Sequence, residues 1–222
     1  MILEGYEQFS EKFREFNGIL TEFNQKYNLT AISDEKEVYI KHFFDSIQPQ
    51  KYFPTGAKVV EIGSGGGFPS VPLKIVRDDL SFTLIESTGK KCEYLRHVVD
   101  KLGFNGVQVL NIRAEDGGKD KNLREKFDVA TARAVARLNT LCEYCLPFVK
   151  IGGRFIAYKG DADEEINESL NAIKTLGGEI EKIEKYDLPE GFGKRTVIVI
   201  KKVKSTPEKY PRGRGLERKK PL

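Results

Sequence analysis

The stretch EIGSGGGFP, residues 61–69, sets four glycines in nine positions, opening on an acid and closing on Phe68 and Pro69. Glycine at this density lets the backbone take positive φ and lets another molecule approach closer than side chains allow. KVVEI, just before it, reads as a short buried strand, and Pro69 stands where a helix would begin. The turn therefore occupies the strand–turn–helix position at which parallel sheets bind nucleotides. Two phosphate-binding patterns fail here. The G-x-G-x-x-G fingerprint counted from Gly63 requires glycine at Phe68, and counted from Gly65 it meets Ser70. GKK at 89–91 has no glycine five positions before Gly89 and no hydroxyl after its first lysine, which excludes a Walker loop. The spacing that fits is E-x-G-x-G-x-G, running through Glu61, Gly63, Gly65 and Gly67. A second acid, Glu86, closes the next apolar run 23 residues after Gly63, where a carboxylate can accept from both hydroxyls of a ribose.

These residues need a scaffold, and periodicity supplies one. Tyr6, Phe9, Phe13, Phe16, Leu20, Phe23 and Tyr27 recur at alternating spacings of 3 and 4, one apolar stripe on a helix that must dock on the rest of the protein. Asp34 with Glu37 forms a capping-box start for a second helix through Phe44. Residues 1–50 are thus expected to be a helical cap. From Lys58, the apolar runs KVVEI, FTLIE, VQVLN, FDVATA and RFIAY alternate with helix-length segments, the pattern of parallel strands with right-handed crossovers. Two more strands are expected near 180–186 and 196–201, with no long helix between them, so the last should return antiparallel. The expected organisation is a helical cap (1–50), one α/β domain with a mostly parallel seven-stranded Rossmann-like sheet (51–204), and a basic tail (205–222).

The E-x-G-x-G-x-G spacing resembles the first motif of class I S-adenosylmethionine-dependent methyltransferases. That ligand has no phosphate, and its amino-acid end carries an ammonium that an acidic site can receive. Beyond this motif, YNLTAI (27–32), HFFDS (42–46), GSGGGFPSVPL (63–73), GKKCEYL (89–95), RAE (113–115), TARAVARL (131–138), GGRFIAYKG (152–160) and YPRGRGLERKKPL (210–222) resemble the RsmG family, also called glucose-inhibited division protein B. The family usually carries Asp at the positions of Glu61 and Glu86, Gly at Ser70, Ser at Ala132 and another proline before the final lysines. The acidic exchanges keep the chemistry. The resemblance implies a bacterial methyltransferase acting on guanine N7 of 16S ribosomal RNA. It implies that Gly63 and Phe68 line the cofactor, that Ala114 and Glu115 meet its adenine and that Arg133 lies beside its methionine end. A class I methyltransferase acting on another RNA, a protein or a small molecule is the alternative, and a cofactor-binding regulator without chemistry is a third.

Guanine N7 has an in-plane lone pair and no hydrogen, so transfer to it requires alignment and no obligatory base. TARAV stands where enzymes acting on exocyclic amines carry an Asn-Pro-Pro-Tyr-like motif. Cys142 and Cys145 fall in an apolar helix, LCEYCLPF, and read as core thiols. With Cys92 they make three cysteines, too few and too odd for a disulfide framework, and His42 and His97 complete no metal set. For RNA phosphates the candidates are Lys90, Lys91, Arg113, Arg137, Lys159 and Arg195, with Arg212 and Arg214 in the tail. Lys159 and Arg195 are expected to serve RNA without affecting cofactor affinity. The tail holds six basic residues against two acidic, and its +4 equals the net charge of the whole chain. It is expected either to hang in solvent or to lie on something anionic. No apolar run approaches a membrane span and no secretory signal opens the chain, so a cytoplasmic monomer partnered by the small ribosomal subunit is expected.

Overall fold

The computed structural model describes residues 3–222, so the first two positions of the expected cap lie outside the described residues. A 3-10 turn over Glu7–Phe9 leads into α1 (Ser10–Tyr27). Its stripe faces inward: Phe13, Phe16 and Leu20 are buried, and Tyr6, Phe9, Phe23 and Tyr27 pack at the margin of the same core. Helix α2 (Glu35–Val38) starts at Asp34, whose side chain accepts from the Glu37 N–H at 2.9 Å. It does not run as an α-helix to Phe44. Tyr39–Phe44 form a π turn, succeeded by α3 (Asp45–Ile47) and a 3-10 turn over Gln48–Tyr52. A π turn inserts an extra residue into the helical repeat and re-aims the side chains beyond it. Phe43 enters the core against Phe13, Phe16, Tyr39 and Phe68, while His42 and Asp45 face a crevice.

The sheet comprises β1 (Lys58–Ile62), β2 (Ser81–Ile85), β3 (Val107–Leu110), β4 (Phe127–Arg133), β5 (Val149–Lys159), β6 (Gly178–Asp187) and β7 (Lys194–Lys202). Between them run α4 (Ser70–Val76), α5 (Gly89–Lys101), α6 (Ala114–Gly117), α7 (Leu138–Cys145) and α8 (Asp163–Thr175), with α9 (Leu216–Lys219) at the end. Strand order is β3-β2-β1-β4-β5-β7-β6. Strands β1 to β5 pair in parallel, and β7 is antiparallel to both neighbours, as its short connection to β6 requires. The order reverses between β1 and β4, and a crevice opens at the carboxyl ends of the strands on either side of that switch. Apolar side chains form two cores. One joins the cap with α4 and α5, and the other joins α7 and α8 with Tyr210 of the tail.

The tail does not hang free. Arg124 donates to the carbonyls of Thr206 at 2.7 Å and Tyr210 at 2.8 Å. Buried Glu143 on α7 takes the Arg212 backbone N–H and, through both oxygens, its guanidinium. A segment unable to build its own core thus completes one supplied by the sheet.

Candidate functional site

A cavity of about 570 Å³ fills the crevice. Its floor is the glycine turn. Gly63 sits at φ +70, and a Cβ there would come 2.7 Å from Val135 Cγ2, so a side chain would be both strained and obstructed. Gly65 donates its N–H to Glu86 Oε2 at 3.0 Å, and the Thr88 N–H donates to Oε1 at 2.8 Å. Glu86 is thereby fixed at the cavity edge with lone pairs on both oxygens to spare. Tyr94 holds the turn from behind by donating to the Gly66 carbonyl at 3.1 Å.

Facing the turn is the cap. His42 stacks on Phe68 with centroids 4.4 Å apart, and the Arg133 guanidinium lies 4.9 Å from the Phe68 centroid. Arg133 Nη2 is 3.0 Å from His42 Nδ1, and His42 Nε2 is 2.7 Å from Thr30 Oγ1. Because a guanidinium only donates, Nδ1 accepts and Nε2 carries the proton. Burial, then the charge of Arg133, pushes the His42 pKa down to about 3. This imidazole is neutral at any working pH and both nitrogens are engaged.

Asp45, 3% exposed, ties the wall together. Its Oδ2 lies 2.9 Å from Arg133 Nη1 and 3.4 Å from Arg195 Nε, and its Oδ1 accepts from the Tyr186 hydroxyl at 2.8 Å. Ala134, beside Arg133, takes φ +57, a left-handed conformation costly for a residue with a Cβ.

A second cavity, of about 340 Å³, shares Gly63, Ser87 and Val135 with the first. Ile62, Ile85, Ile112, Ala114 and Tyr144 give it apolar walls, and Ser87, Arg113, Glu115 and Arg218 give it a polar rim in which the Glu115 carboxylate is an acceptor. The two volumes fall in the range of small-molecule sites. Glu61 lies behind the turn, fully buried on β1 between Leu84 and Thr131, and its nearest donors, the Ser70 hydroxyl and backbone N–H, stand outside good hydrogen-bond geometry. Burial pushes its pKa up to about 8, against the opposing pull of Ser70 and Arg133.

The structure thus brings Gly63, Gly65, Phe68, Glu86, Lys91, Arg133, Lys159 and Arg195 to one cavity and Arg113, Ala114 and Glu115 to its neighbour. Glu61 and Gly67 line neither cavity. Gly67 turns the chain into α4, where a Cβ would lie 2.7 Å from Val71 Cγ2. Among the basic residues, Lys159 is held by Glu165 at 2.7 Å and by the Ala136 carbonyl at 2.7 Å. Arg137 pairs with Glu168 outside both cavities, and Arg113 is largely exposed, 3.9 Å from Glu115. Arg212, expected to face RNA, is instead engaged by Glu143, while Arg214 is exposed. Lys90 is exposed, and neither Lys90 nor Lys91 makes an ion pair among the described residues. The sequence reading missed His42, Asp45, Tyr186 and Arg218 as site residues. HFFDS held a signal for the first two, since i and i+3 on a helix share a face.

Four features suit S-adenosylmethionine. These are a turn that only glycine can make, a carboxylate with free lone pairs for ribose hydroxyls, a slot with apolar walls and a carboxylate acceptor for an amine-bearing purine, and a buried acid behind the turn. The architecture agrees. A SAM-dependent methyltransferase from Aquifex aeolicus superposes with TM-score 0.56 at 16% identity, over 78% of this chain and 96% of that one. A SAM-dependent O-methyltransferase from Thermotoga maritima does so with TM-score 0.54 at 15% identity, over 85% and 73%. At such identities the likeness concerns the fold, which is that of the class I methyltransferases. Residues 9–191 match the family model GidB, described as rRNA small subunit methyltransferase G. Curated relatives described as ribosomal RNA small subunit methyltransferase G include one from Brevibacillus brevis, 49% identical over 96% of this chain and 90% of that protein. Another, from Lactobacillus johnsonii, is 48% identical over 97% and 92%. The chain belongs to this family.

Proposed function

We propose that this protein transfers a methyl group from S-adenosylmethionine to N7 of a guanine in 16S ribosomal RNA of the small subunit, acting in the cytoplasm as a monomer. The observation that carries the N7 assignment is the state of the possible bases facing the main cavity. His42 is neutral with both nitrogens engaged, Asp45 receives two guanidiniums and a phenol, and Glu86 accepts two backbone N–H groups. An exocyclic amine or a hydroxyl must lose a proton on methylation; guanine N7 has none to lose. This crevice is arranged for alignment rather than for proton removal.

S-adenosylmethionine, when bound, supplies a methyl group activated by a sulfonium. The chain's own groups hold and orient. The glycine turn admits close backbone approach, Glu86 offers lone pairs to ribose hydroxyls, Glu115 accepts from the purine amine, and Glu61 offers a carboxylate toward the ammonium end. Arg195, part-exposed at the cavity, is positioned to donate to guanine O6 and leave N7 free. Methylated N7 leaves the base cationic, and the cations lining the cavity, among them Lys91, Arg133 and Arg195, outnumber its acids Asp45 and Glu86 and then disfavour its retention.

The reading is tested by incubating the protein and labelled S-adenosylmethionine with small subunits from a strain lacking the modification. Label confined to one guanine that becomes cleavable by aniline after borohydride reduction supports it. Label in protein, or at an exocyclic nitrogen, overturns it. Phosphate contacts have their own prediction. Exchanging Lys90 and Lys91 together for alanine is expected to lower the slope of log affinity against log salt by about 1.5, since each released phosphate contact contributes about 0.7 to 0.9. An unchanged slope would remove both from the interface.

A further inference from the structure

The second cavity is walled in part by the end of the chain, since Gly215 and Arg218 line it together with Ala114, Glu115 and Tyr144. This end is built into place. Glu143 grips Arg212 by backbone and guanidinium, the Gly213 N–H reaches the buried Glu217 carboxylate, and Thr140 Oγ1 donates to the Glu217 carbonyl at 2.9 Å. Three successive residues with positive φ, Gly213, Arg214 and Gly215 at +81, +58 and +74, turn the backbone back toward the slot. From that turn Arg218 reaches Val135, its Nη2 3.5 Å from the carbonyl, and its guanidinium also approaches the Tyr144 hydroxyl. Val135 lines both cavities and packs over Gly63. Arg218 makes no ion pair among the described residues, whereas Arg212 has a buried carboxylate of its own.

We infer that the C-terminal turn is a wall of the nucleoside slot and that Arg218 binds the cofactor there, its planar guanidinium lying against the purine while Glu115 accepts from the exocyclic amine. The inference rests on the reading that the crevice takes S-adenosylmethionine. A guanidinium suits this place because it is planar, weakly hydrated and free of a competing carboxylate, so it can stack on a π system as a lysine ammonium cannot. It also gives the basic tail a role that net charge alone does not suggest. The RNA substrate and the nucleoside cofactor would meet opposite sides of one short segment, with Arg214 outward and Arg218 at the slot.

The test is calorimetric titration of the intact chain with S-adenosylhomocysteine and with 5′-methylthioadenosine, which keeps the purine and ribose but lacks the amino acid. Arg218→Ala is expected to weaken both by roughly three- to thirty-fold, the range of a desolvated cation–π contact, with Arg218→Lys between it and the parent chain. Arg218 is exposed, so the melting temperature of the ligand-free variant should match the parent and exclude a folding defect. Unchanged affinity for both nucleosides overturns the inference. So does a loss confined to S-adenosylhomocysteine, which would place Arg218 at the amino-acid end, and so does a loss confined to RNA affinity. If the parent chain binds neither nucleoside, the cofactor reading itself fails.

Discussion

Replacing Glu61 by glutamine is expected to stabilise the ligand-free protein at pH 8 while weakening S-adenosylhomocysteine binding. The unfolded chain ionises this carboxyl near 4.5, whereas burial raises it in the folded protein to about 8. Between those values the folded state keeps a proton that the unfolded state has lost. Stability contributed by the neutral acid is therefore fully present below 4.5, declines as pH rises and is gone above 8. At 1.36 kcal/mol per unit, a rise from 4.5 to about 8 caps the loss at about 5 kcal/mol. Glutamine is close in shape and cannot ionise, so the variant should show no such decline. Urea unfolding at pH 5 and pH 8.5 checks this: the parent chain should lose several kcal/mol relative to the variant, and parallel losses would acquit Glu61. Binding should behave in the opposite way. An ammonium brought toward this buried carboxylate favours the ionised form, so complex formation near neutral pH should release a proton. The binding heat of the parent chain then depends on the ionisation heat of the buffer. The Glu61→Gln variant should lose that dependence and bind more weakly, because the Coulomb attraction between a buried carboxylate behind the turn and the ammonium in front of it is gone.

How much of this site could be read from the sequence depends on the range of the interaction involved. The glycine turn was legible because its meaning is local: Gly63 needs positive φ whatever surrounds it, and the strand before it and the proline after it fix its place. The mostly parallel sheet and its antiparallel last strand were legible for a similar reason, since periodicity and connection length signal both, but neither fixes the order of the strands. The state of Glu61 was not. An acid at the end of an apolar run is visible, but its desolvation comes from Leu84 and Thr131 on neighbouring strands and from α4 above it. The tail was misjudged because its composition describes only the tail. Its anchor is Glu143, a lone acid within the apolar run LCEYCLPF, and a charge that a helix must bury requires a partner from elsewhere. That acid was the available clue that a basic segment docks there. The π turn left no trace in the spacing of apolar residues, because it shifts His42 and Asp45 toward the crevice without removing Phe43 from the core.

Asp45→Asn is expected to cost about 3–5 kcal/mol of stability, as breaking a buried ion pair by removing one partner does. The single carboxylate of Asp45, on the cap, receives Arg133 from β4, Arg195 from β7 and Tyr186 from β6. It therefore links the cap to three strands, one of which carries the switch-point crevice. The side chains of Arg133 and Arg195 are 11% and 23% exposed, so solvent replaces little of the lost counter-charge. Asparagine can still accept from the phenol or from one guanidinium, but it carries no charge against the other. Arg133 should then leave its place over Phe68, which also loosens the His42 tautomer that Arg133 fixes. Methyl transfer should fall by about a hundred-fold or more in kcat/KM, the scale reached when an ångström-sized misplacement disturbs an alignment-driven reaction. Denaturant unfolding and single-turnover transfer measure the two effects. A double-mutant cycle with Arg133→Met separates cause from coincidence. If Asp45 acts through Arg133, the second substitution should cost much less in the Asp45→Asn background, with a coupling of about 2 kcal/mol. Additive losses would mean that the cap is held by its aromatic contacts alone, and that the Asp45 network plays no part in setting the geometry of the crevice.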